Sequence, residues 1–347
     1  MSPQSSQPSV VAVDGGNSKT DLALIGGDGT LLASVRGPGM PHRLSEENVK
    51  IIADLLRSAV KAAYPTSGGT EPMLSNIARD TVACVANVDL PDDERQLERM
   101  LADQGWTQST LVANDTFAVL RAGLDDVPAA GADRLWGVGV TCGAGINCAG
   151  MAPDGRKAGF LALGHITGDW GGGGALGMDA QWWAIRAEDG RGPQTVLRQI
   201  VPAHFGLTEP SELAVALHLG KIGFDRIGEL ARLVFDAADS GDQVARDLVL
   251  KLANEIVLMA GAVIRRLDLT GAAVPVILGG GVIAARNPLL IDAITAQMAD
   301  VAPDSTVRVI EAAPVAGAGL LGLDRIGAPV SAMRRLREEF GLQHLSG

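Results

Sequence analysis

The apolar residues of this chain fall into short runs that end at glycine, asparagine or aspartate and alternate with helical stretches. Near the N-terminus, VVAVDGG, TDLALIGG and LLASVRG predict three successive strands joined by the turns GGNSK and GDGT. Apolar positions at helical spacing over 45–63 predict a helix behind a serine cap. A strand at 81–88, a polar helix, and a strand over 109–123 that runs into a helix at Asn114-Asp115 follow.

The opening pattern returns at 134–165 as strand, glycine-rich turn, strand, Asp-Gly turn and strand. The Asp-Gly turn at 154–155 corresponds to the one at 28–29, and the glycine turns match at roughly the same spacing. A repeated three-strand meander with helices after each copy predicts two similar α/β domains that face each other. Glycine-rich hairpins are common, so a chance similarity is the alternative to a duplication.

The second half of the chain is mostly helical, with two buried strands near its end. The strand VPVILGGG ends in three glycines and leads into a helix, and VRVIEAAP is the last strand. A helix rich in small residues, VAGAGLLGLDRIG, follows, and we expect it to pack closely against the first domain. The other helices predicted in this half span 175–188, 193–203, 210–219, 225–238 and 240–268.

Composition agrees with this pattern and excludes several classes of function. The 347 residues are 47% hydrophobic but only 3% aromatic and include 44 glycines, which suits an α/β protein with many tight turns. The formal net charge is −11 and the sequence contains no basic block, so we expect no nucleic-acid partner. Every long apolar stretch contains a glycine break or a charge, so we expect no membrane span.

The cysteines and the first residues indicate the compartment. Cys84, Cys142 and Cys148 cannot all pair and form no CxxC motif, so we interpret them as reduced thiols of a cytoplasmic protein. The first nine residues, MSPQSSQPS, have neither a basic start nor an apolar segment, which is typical of a disordered leader rather than of a signal peptide.

Glycine-rich turns are the candidate phosphate sites, because their backbone amides can surround an anion. GGNSKT adds the hydroxyls of Ser18 and Thr20 and the cation of Lys19. It is not a Walker A loop, since serine precedes Lys-Thr and the turn joins strand to strand. One such hairpin is more often structural, but a second, CGAGINC, would let two hairpins clamp one nucleotide. GGGV at 279–282 lacks the dinucleotide spacing and better suits a nucleoside stacked on glycine backbone.

Three carboxylates are candidate functional acids. Asp14 ends its strand beside the first turn; because phosphate repels a carboxylate unless a metal lies between them, we interpret it as a Mg²⁺ ligand rather than a turn cap. Asp115 either caps the following helix or accepts a proton from an attacking hydroxyl, and one side chain can do both. Asp169, in GHITGDWGGGG, either contacts substrate hydroxyls or metal-bound water, or is simply a polar loop residue.

In this order these segments resemble the actin/Hsp70/sugar-kinase ATPase fold, and more specifically the BadF/BadG/BcrA/BcrD ATPase family with its N-acetylglucosamine kinases. The resemblance covers about residues 10–325. The segments that carry it are VDGGNSKTDLALIGGDG, VANDTFAVLRAG, GAGINCAGMAPDGR, LGHITGDWGGGGALG and VILGGGV.

The resemblance implies an α/β fold of two ribonuclease-H-like, actin-like ATPase domains, each a mixed β-sheet flanked by helices, with a cleft between them. We expect a leader at 1–9, an N-terminal domain at 10–122 completed by about 316–347, and a C-terminal domain at 123–315. The implied activity is phosphorylation of an amino sugar, with ATP and Mg²⁺ as cofactors. N-acetylglucosamine at the 6-hydroxyl is the expected substrate; glucosamine and N-acetylmuramic acid are alternatives. We also expect a homodimer.

Site residues follow by motif position. Asp115 matches the general base, and Asp14 matches the Mg²⁺ acid. The predicted ATP contacts are Gly15, Gly16, Asn17, Ser18, Lys19, Thr20, Gly143, Gly145, Gly280 and Gly281. The predicted sugar contacts are His42, Asn87, Asn114, Asp115, Gly145, Asn147 and Asp169.

Two departures from the family's pattern concern the sugar. Around His42, Pro41 and Arg43 replace residues that usually contact the sugar, so Arg43 either meets an acidic substituent or is solvated. Trp170, after Asp169, is either a stacking face for a sugar ring or part of the core. Two other functions are alternatives: an ATP-driven activator of a radical dehydratase that carries an iron–sulfur cluster, and a sugar sensor without turnover.

Overall fold

The computed structural model describes residues 7–41, 43–65, 72–128, 132, 134–311 and 313–343. Its first half contains one five-stranded sheet with three helices around it. The strands are β1 (Pro8–Gly15), β2 (Lys19–Gly26), β3 (Leu31–Pro38), β4 (Ala78–Val85) and β5 (Thr107–Asn114). The helices are α1 (Glu46–Ala63), α2 (Pro91–Ala102) and α3 (Asp115–Gly123).

The second half contains another five-stranded sheet and most of the helices. Its strands are β6 (Gly137–Cys142), β7 (Ile146–Met151), β8 (Lys157–Gly159), β9 (Pro275–Gly279) and β10 (Thr306–Val309). The helices are α4 (Gly172–Glu188), α5 (Leu197–His204), α6 (Pro210–His218), α7 (Ala231–Asp239), α8 (Gln243–Arg266), the single turn α9 (Gly281–Ala284), α10 (Pro288–Val301), α11 (Pro314–Arg325) and α12 (Val330–Gln343). Short 3-10 helices lie at Gly164–Ile166 and Phe224–Leu230.

The two sheets share one topology. The first has the strand order β3-β2-β1-β4-β5, and the second has the order β8-β7-β6-β9-β10. In each, the first three strands form an antiparallel meander and the last two join in parallel through helical crossovers. This correspondence confirms the predicted repeat and the two mixed sheets flanked by helices. The domain boundaries themselves remain a prediction.

Asp242 explains two helix starts that differ from expectation. Its carboxylate accepts hydrogen bonds from the backbone N–H of Val196 and the hydroxyl of Thr195, which ties this segment to the start of α8, and the predicted helix at 193–203 begins later, at Leu197. The same carboxylate caps α8 through the N–H of Ala245. A capping aspartate has a non-helical backbone, so α8 begins directly after it.

Helix α3 lies between the two sheets and in close contact with α11. Gly317 of α11 meets α3 so closely that a Cβ there would lie 1.9 Å from the carbonyl oxygen of Ala118. On the other side, a Cβ at Gly139 of β6 would lie 2.9 Å from the carbonyl oxygen of Thr116. These contacts fix the position of α3, and therefore of the residues at its N-terminus.

Buried ion pairs reinforce the contact of α3 with the C-terminal helices. The Arg121 side chain is 3% exposed and donates to Asp324 of α11 at 2.6 Å and to Asp126 at 3.1 Å. Arg337 of α12 donates to the same Asp126 at 2.9 Å. Apolar side chains of α11 and α12 cover one face of the first sheet, and those of α1 cover much of the other. Among the described residues, no helix combines the length and apolar character needed to cross a membrane.

Substituting Gly317 by alanine tests the contact between α11 and α3. The added methyl group would overlap the Ala118 carbonyl, and because both atoms belong to helix backbone neither can move freely. We expect the free energy of unfolding to fall by about 3 kcal/mol, measured by chemical denaturation. Gly341→Ala in α12 is the matched control, since a Cβ there meets nothing within 4 Å. It is expected to leave stability unchanged or slightly higher. Equal stability of the two variants would contradict this packing.

Candidate active site

Strand ends and the N-terminus of α3 bring several acids together at one edge of the first sheet. Asp14 on β1 is paired in register with Asp21 on β2 and with Cys84 on β4. Asp115 is the first residue of α3, directly after β5. Burial, together with the charges of Asp115 and Asp21, raises the pKa of Asp14 to about 8. The ionised form of Asp14 is therefore unfavourable here, and a ligand cation would stabilise it.

The first predicted phosphate loop is a tight hairpin. The N–H of Gly16 donates to the carbonyl of Lys19 at 2.9 Å, which leaves Asn17 and Ser18 at the tip. The chain after β3 lies directly against this tip, since a Cβ at Gly39 would lie 2.0 Å from the Asn17 carbonyl oxygen. The tip is thus held rigidly from one side.

Residues of the first loop differ in what they can offer a phosphate. Ser18 and Lys19 are exposed, whereas Gly15 is buried. Thr20 is fully buried, and its hydroxyl has no hydrogen-bond partner in the described part of the chain. By strand alternation Thr20 faces the same core as Leu22, opposite to Asp14, so its hydroxyl points away from the acids.

Asp21 holds the two cations nearest to Asp14. Arg36 on β3 donates to Asp21 at 2.6 and 3.1 Å, and the Lys19 ammonium lies 3.4 Å from the same carboxylate. Asp21 is almost fully buried, while Arg36 and Lys19 are largely exposed. The charges of Lys19 and Arg36 lower the pKa of Asp14, although less than burial raises it. This arrangement places two exposed cations beside the first loop.

The glycine turn of CGAGINC, at 142–148, and that of GGGV, at 279–282, lie close to the starts of α4 and α9. The N–H groups of Gly173 and Gly174 donate to the carbonyls of Gly143 and Ala144 at 2.8 and 2.9 Å. A Cβ at Gly143 would lie 3.6 Å from the backbone nitrogen of Gly281. The predicted phosphate turn and the predicted nucleoside turn are therefore neighbours.

Gly280 and Gly145 differ in the space around them. Gly280 has a φ of 96°, and a Cβ there would lie 2.4 Å from the backbone of Cys142. Gly145 lies at the tip of the β6–β7 hairpin with nothing near its Cβ direction. The backbone of the hairpin is thus open on the side of Gly145 and closed on the side of the glycine turns.

Asp115 has the environment of a general base. Its predecessor Asn114 caps α3 by accepting the N–H of Thr116 at 3.0 Å, which fixes the first turn of the helix. Burial raises the pKa of Asp115 to about 6, and hydrogen bonds with Thr116 limit the rise. The group is therefore ionised at neutral pH and far more basic than an exposed aspartate.

Asp89 is a central residue of the site that the sequence reasoning missed. One oxygen, Oδ1, accepts hydrogen bonds from the side-chain amides of Asn114 at 2.8 Å and Asn147 at 3.2 Å. Asn114 belongs to the first sheet and Asn147 to the second, so Asp89 joins the two halves. Burial, the charge of Asp115 and other nearby acids raise the pKa of Asp89 to about 7. Its position soon after β4 matches that of Asp115 after β5, which is the signal that would have found it.

Both asparagine amides have a fixed orientation. The side-chain oxygen of Asn114 accepts from Thr116, and that of Asn147 accepts from the N–H of Cys148 at 2.7 Å. Their NH₂ groups must therefore point toward Asp89. Each NH₂ group donates one hydrogen to Asp89 and has a second one for a ligand.

A cavity of about 490 Å³ opens beside these residues. Its lining includes the predicted sugar contacts Asn114, Asn147 and Asp169, together with Asp89. Asp169 accepts the Thr167 hydroxyl at 2.6 Å, which orients its carboxylate in the loop before α4. The structure thus brings three of the predicted sugar contacts to one cavity of the size that small ligands occupy.

Other predicted residues lie elsewhere. His42 lies outside the described residues. Asn87 donates to the side chain of Asn17 and to the Pro41 carbonyl, so it braces the first hairpin and does not line the cavity. Arg43 is exposed and is also not among the lining residues.

Trp170 packs against the hydrophobic core of the second half of the chain and does not line the cavity. It is partly buried there, and the Lys251 ammonium lies 3.7 Å from its ring centroid. This agrees with the core interpretation of Trp170.

Asp14 is the residue that best fits a divalent cation. It is 9% exposed, and within the described residues it accepts no hydrogen bond and faces further acids. Among those residues no group of three or more histidine, cysteine or acidic side chains forms a ready-made metal cage. Mg²⁺ binds through one or two carboxylates plus phosphate oxygens and water, so this donor set fits Mg²⁺ that arrives with a nucleotide.

All three cysteines are buried. Burial raises the pKa of Cys142 to about 12 and that of Cys84 and Cys148 well above the usual value. Cluster ligands are thiolates, and a cluster shared between subunits needs them at the surface, so these thiols do not suit an iron–sulfur activator.

Comparison with known proteins agrees with this geometry. The N-acetylmuramic acid/N-acetylglucosamine kinase of Clostridium acetobutylicum is 28% identical over 275 residues, which are 79% of this chain and 85% of that protein. The N-acetyl-D-glucosamine kinase of Dictyostelium discoideum is 22% identical over 318 residues, which are 90% of this chain and 97% of that protein.

A solved structure from Chromobacterium violaceum, assigned as an N-acetylglucosamine kinase, superposes with a TM-score of 0.69 at 23% identity. The superposition covers 92% of this chain and 99% of that one, which confirms the actin-like fold. A sequence model of the BadF/BadG/BcrA/BcrD ATPase family matches residues 11–322. Since that match spans most of the chain, this protein belongs to the BadF/BadG/BcrA/BcrD ATPase family.

Proposed function

We propose that this protein is an ATP-dependent kinase of an N-acetylated amino sugar, with Asp115 as the general base. The observation that carries the proposal is the position of Asp115, beside Asp14 and next to the cavity that Asn114 and Asn147 line. The named relatives, two curated amino-sugar kinases, support the substrate class. N-acetylglucosamine, phosphorylated at the 6-hydroxyl, is the first substrate to test.

The cavity supplies the polar groups that a sugar requires. Asp89 and Asp169 offer carboxylate oxygens to hydroxyl groups, and the two fixed amides of Asn114 and Asn147 offer N–H donors. Both amides bind the same oxygen of Asp89, which leaves its second oxygen for a sugar hydroxyl. A site of this kind selects strongly for hydroxyl-bearing ligands, because a ligand without them would leave these buried groups unpaired.

In the proposed reaction Asp115 accepts the proton of the sugar hydroxyl as the hydroxyl oxygen attacks the terminal phosphorus of ATP. The bond between that phosphorus and the bridging oxygen breaks, and ADP leaves. The glycine hairpins bind the phosphates through backbone amides, Lys19 and Arg36 offset their charge, and the Gly280-Gly281 turn lies against the adenosine. Mg²⁺ held by Asp14 would neutralise charge on the phosphates. Positioning and charge neutralisation supply most of the rate in phosphoryl transfer.

A sugar sensor without turnover is the alternative in another functional class. The raised pKa of Asp115 favours the enzyme, since a sensor needs no carboxylate tuned toward neutral pH. The homodimer and the cytoplasmic location remain predictions. Size-exclusion chromatography with light scattering would test the first.

Replacing Asp115 by asparagine tests the catalytic base. The amide keeps the shape and can still contact a hydroxyl, but it cannot accept a proton. In a coupled assay of ADP release we expect wild type to turn over N-acetylglucosamine, and Asp115→Asn to lose on the order of 10²–10⁴-fold in kcat. ATP binding, measured by calorimetry, should stay within a few-fold of wild type. If wild type phosphorylates none of the sugars, the proposed function is overturned. If Asp115→Asn keeps the wild-type rate, Asp115 is not the base.

The pH dependence of the rate provides a second test. A base with a pKa of about 6 is ionised above that pH, so kcat/KM should fall about tenfold per pH unit below 6. Asp89→Asn is the control, because Asp89 is not among the main causes of the Asp115 shift and the acid limb should remain. A rate that is flat from pH 5 to 8 in wild type would contradict Asp115 as the base.

Asn114→Ser separates the two roles of this asparagine. Serine still caps α3, so stability should change by less than about 0.5 kcal/mol. It removes the amide that donates to Asp89, so the pKa of Asp89 should rise above about 7 and kcat/KM for the sugar should fall about tenfold. Carbon-13 NMR of the carboxyl groups would follow the titration. An Asp89 pKa that stays at or below 7 would contradict the role of this hydrogen bond.

A further inference from the structure

The cavity is lined by two kinds of polar side chain. The acids and amides described above, led by Asp89 and Asp169, are one kind. The other kind is two cations, Lys157 and Arg266, which line the cavity together with aromatic rings including Phe160. The proposed reaction assigns the acids and amides to neutral sugar hydroxyls and gives the two cations no role.

Lys157 and Arg266 each lie close to an aromatic ring. The Lys157 ammonium lies 4.8 Å from the ring centroid of Phe117, two residues after the proposed base. The Arg266 guanidinium lies 4.6 Å from the ring centroid of Phe160, and one of its nitrogens donates to the Gly159 carbonyl at 2.7 Å. Within the described residues neither cation has a carboxylate at ion-pair distance, so both can accept an anion.

Glu94 is a third acid in the lining of the cavity. The charge of Lys157 lowers the pKa of Glu94, although burial raises it more, so the two groups interact without forming a close ion pair. Glu94 therefore neutralises neither Lys157 nor Arg266 at contact distance, and each cation can pair with an anion in the cavity. Glu94 weakens that attraction.

Other cations considered for an acidic group are placed less well. Arg43 is exposed and does not line the cavity. Lys251 is already paired with Asp179 at 2.9 Å. Among the described residues, Lys157 and Arg266 are the cations that line the cavity.

We propose that Lys157 and Arg266 bind a carboxylate carried by a short apolar arm on the amino sugar, such as the lactyl ether of N-acetylmuramic acid. The rings of Phe117 and Phe160 would pack against the apolar part of the arm, while the cations pair with its charge. The inference rests on the proposed kinase function and deepens it, because it makes the acidic amino sugar the preferred substrate.

Three substrates isolate the charge of the arm. N-acetylmuramic acid carries the carboxylate, its methyl ester keeps the arm but not the charge, and N-acetylglucosamine lacks the arm. For wild type we expect kcat/KM for the acid to exceed that for the ester about fivefold or more. Calorimetric binding of acid and ester gives the same comparison without turnover.

Variants then assign the effect to the cations. Lys157→Met keeps the alkyl contact with Phe117 and should lower kcat/KM for the acid about fivefold while leaving N-acetylglucosamine within twofold. Lys157→Arg should retain the preference for the acid, and Glu94→Gln should increase it. Lys50→Met, at an exposed position of α1, is the surface control and should change neither substrate.

The outcomes separate the two proposals. If no sugar is phosphorylated but the acid still binds better than its ester in wild type and not in Lys157→Met, the kinase function fails and the acid site stands. If N-acetylglucosamine is phosphorylated while acid and ester react and bind equally, the acid site is overturned and the kinase function stands. Equal losses on all three substrates in Lys157→Met would also overturn the acid site.

Discussion

The rest of the structure depends on the close backbone contact that holds α3 between the two sheets. Gly139 of β6 and Gly317 of α11 have no side chain, so both elements approach this helix more closely than any other residue would allow. The same helix carries the proposed base at its first residue and an aromatic wall of the cavity two residues later. A shift of α3 would therefore move the base, the cavity and the interface between the halves together.

Three acids with shifted pKa values lie near the N-terminus of α3. The pKa values of Asp14, Asp89 and Asp115 are all raised, chiefly by burial, and the charge of Asp115 adds to the rise at Asp14 and Asp89. Such an arrangement costs stability in the absence of ligands and is characteristic of sites that bind cations or move protons. The cations beside Asp14, Arg36 and Lys19, already pair with Asp21. A ligand cation near Asp14 would therefore lower the pKa of Asp14 and offset the repulsion between these acids.

Local patterns predicted much of this architecture. Strand ends with glycine turns located both hairpins, the repeated meander predicted two sheets of equal topology, and Asn114 was placed at the strand-to-helix junction. Asp89 was missed because it follows β4 in a segment without glycine, and its importance arises from amides on β5 and β7. Lys157 and Arg266 are far apart in sequence, so only tertiary structure brings them to one wall. The contact of Asn87 with Asn17 was not predicted for the converse reason, since an amide near a strand end can equally support a neighbouring turn.

The position of α11 and α12 on the first sheet has a consequence for synthesis of the protein. One face of that sheet, with Val10, Ala12 and Ile25, is covered by side chains from residues 315–340. During translation this face is exposed until nearly the whole described chain has left the ribosome, although the opposite face can pack on α1 much earlier. The nascent N-terminal half therefore carries an apolar surface through most of its synthesis, and such a surface is prone to aggregation until α11 and α12 cover it.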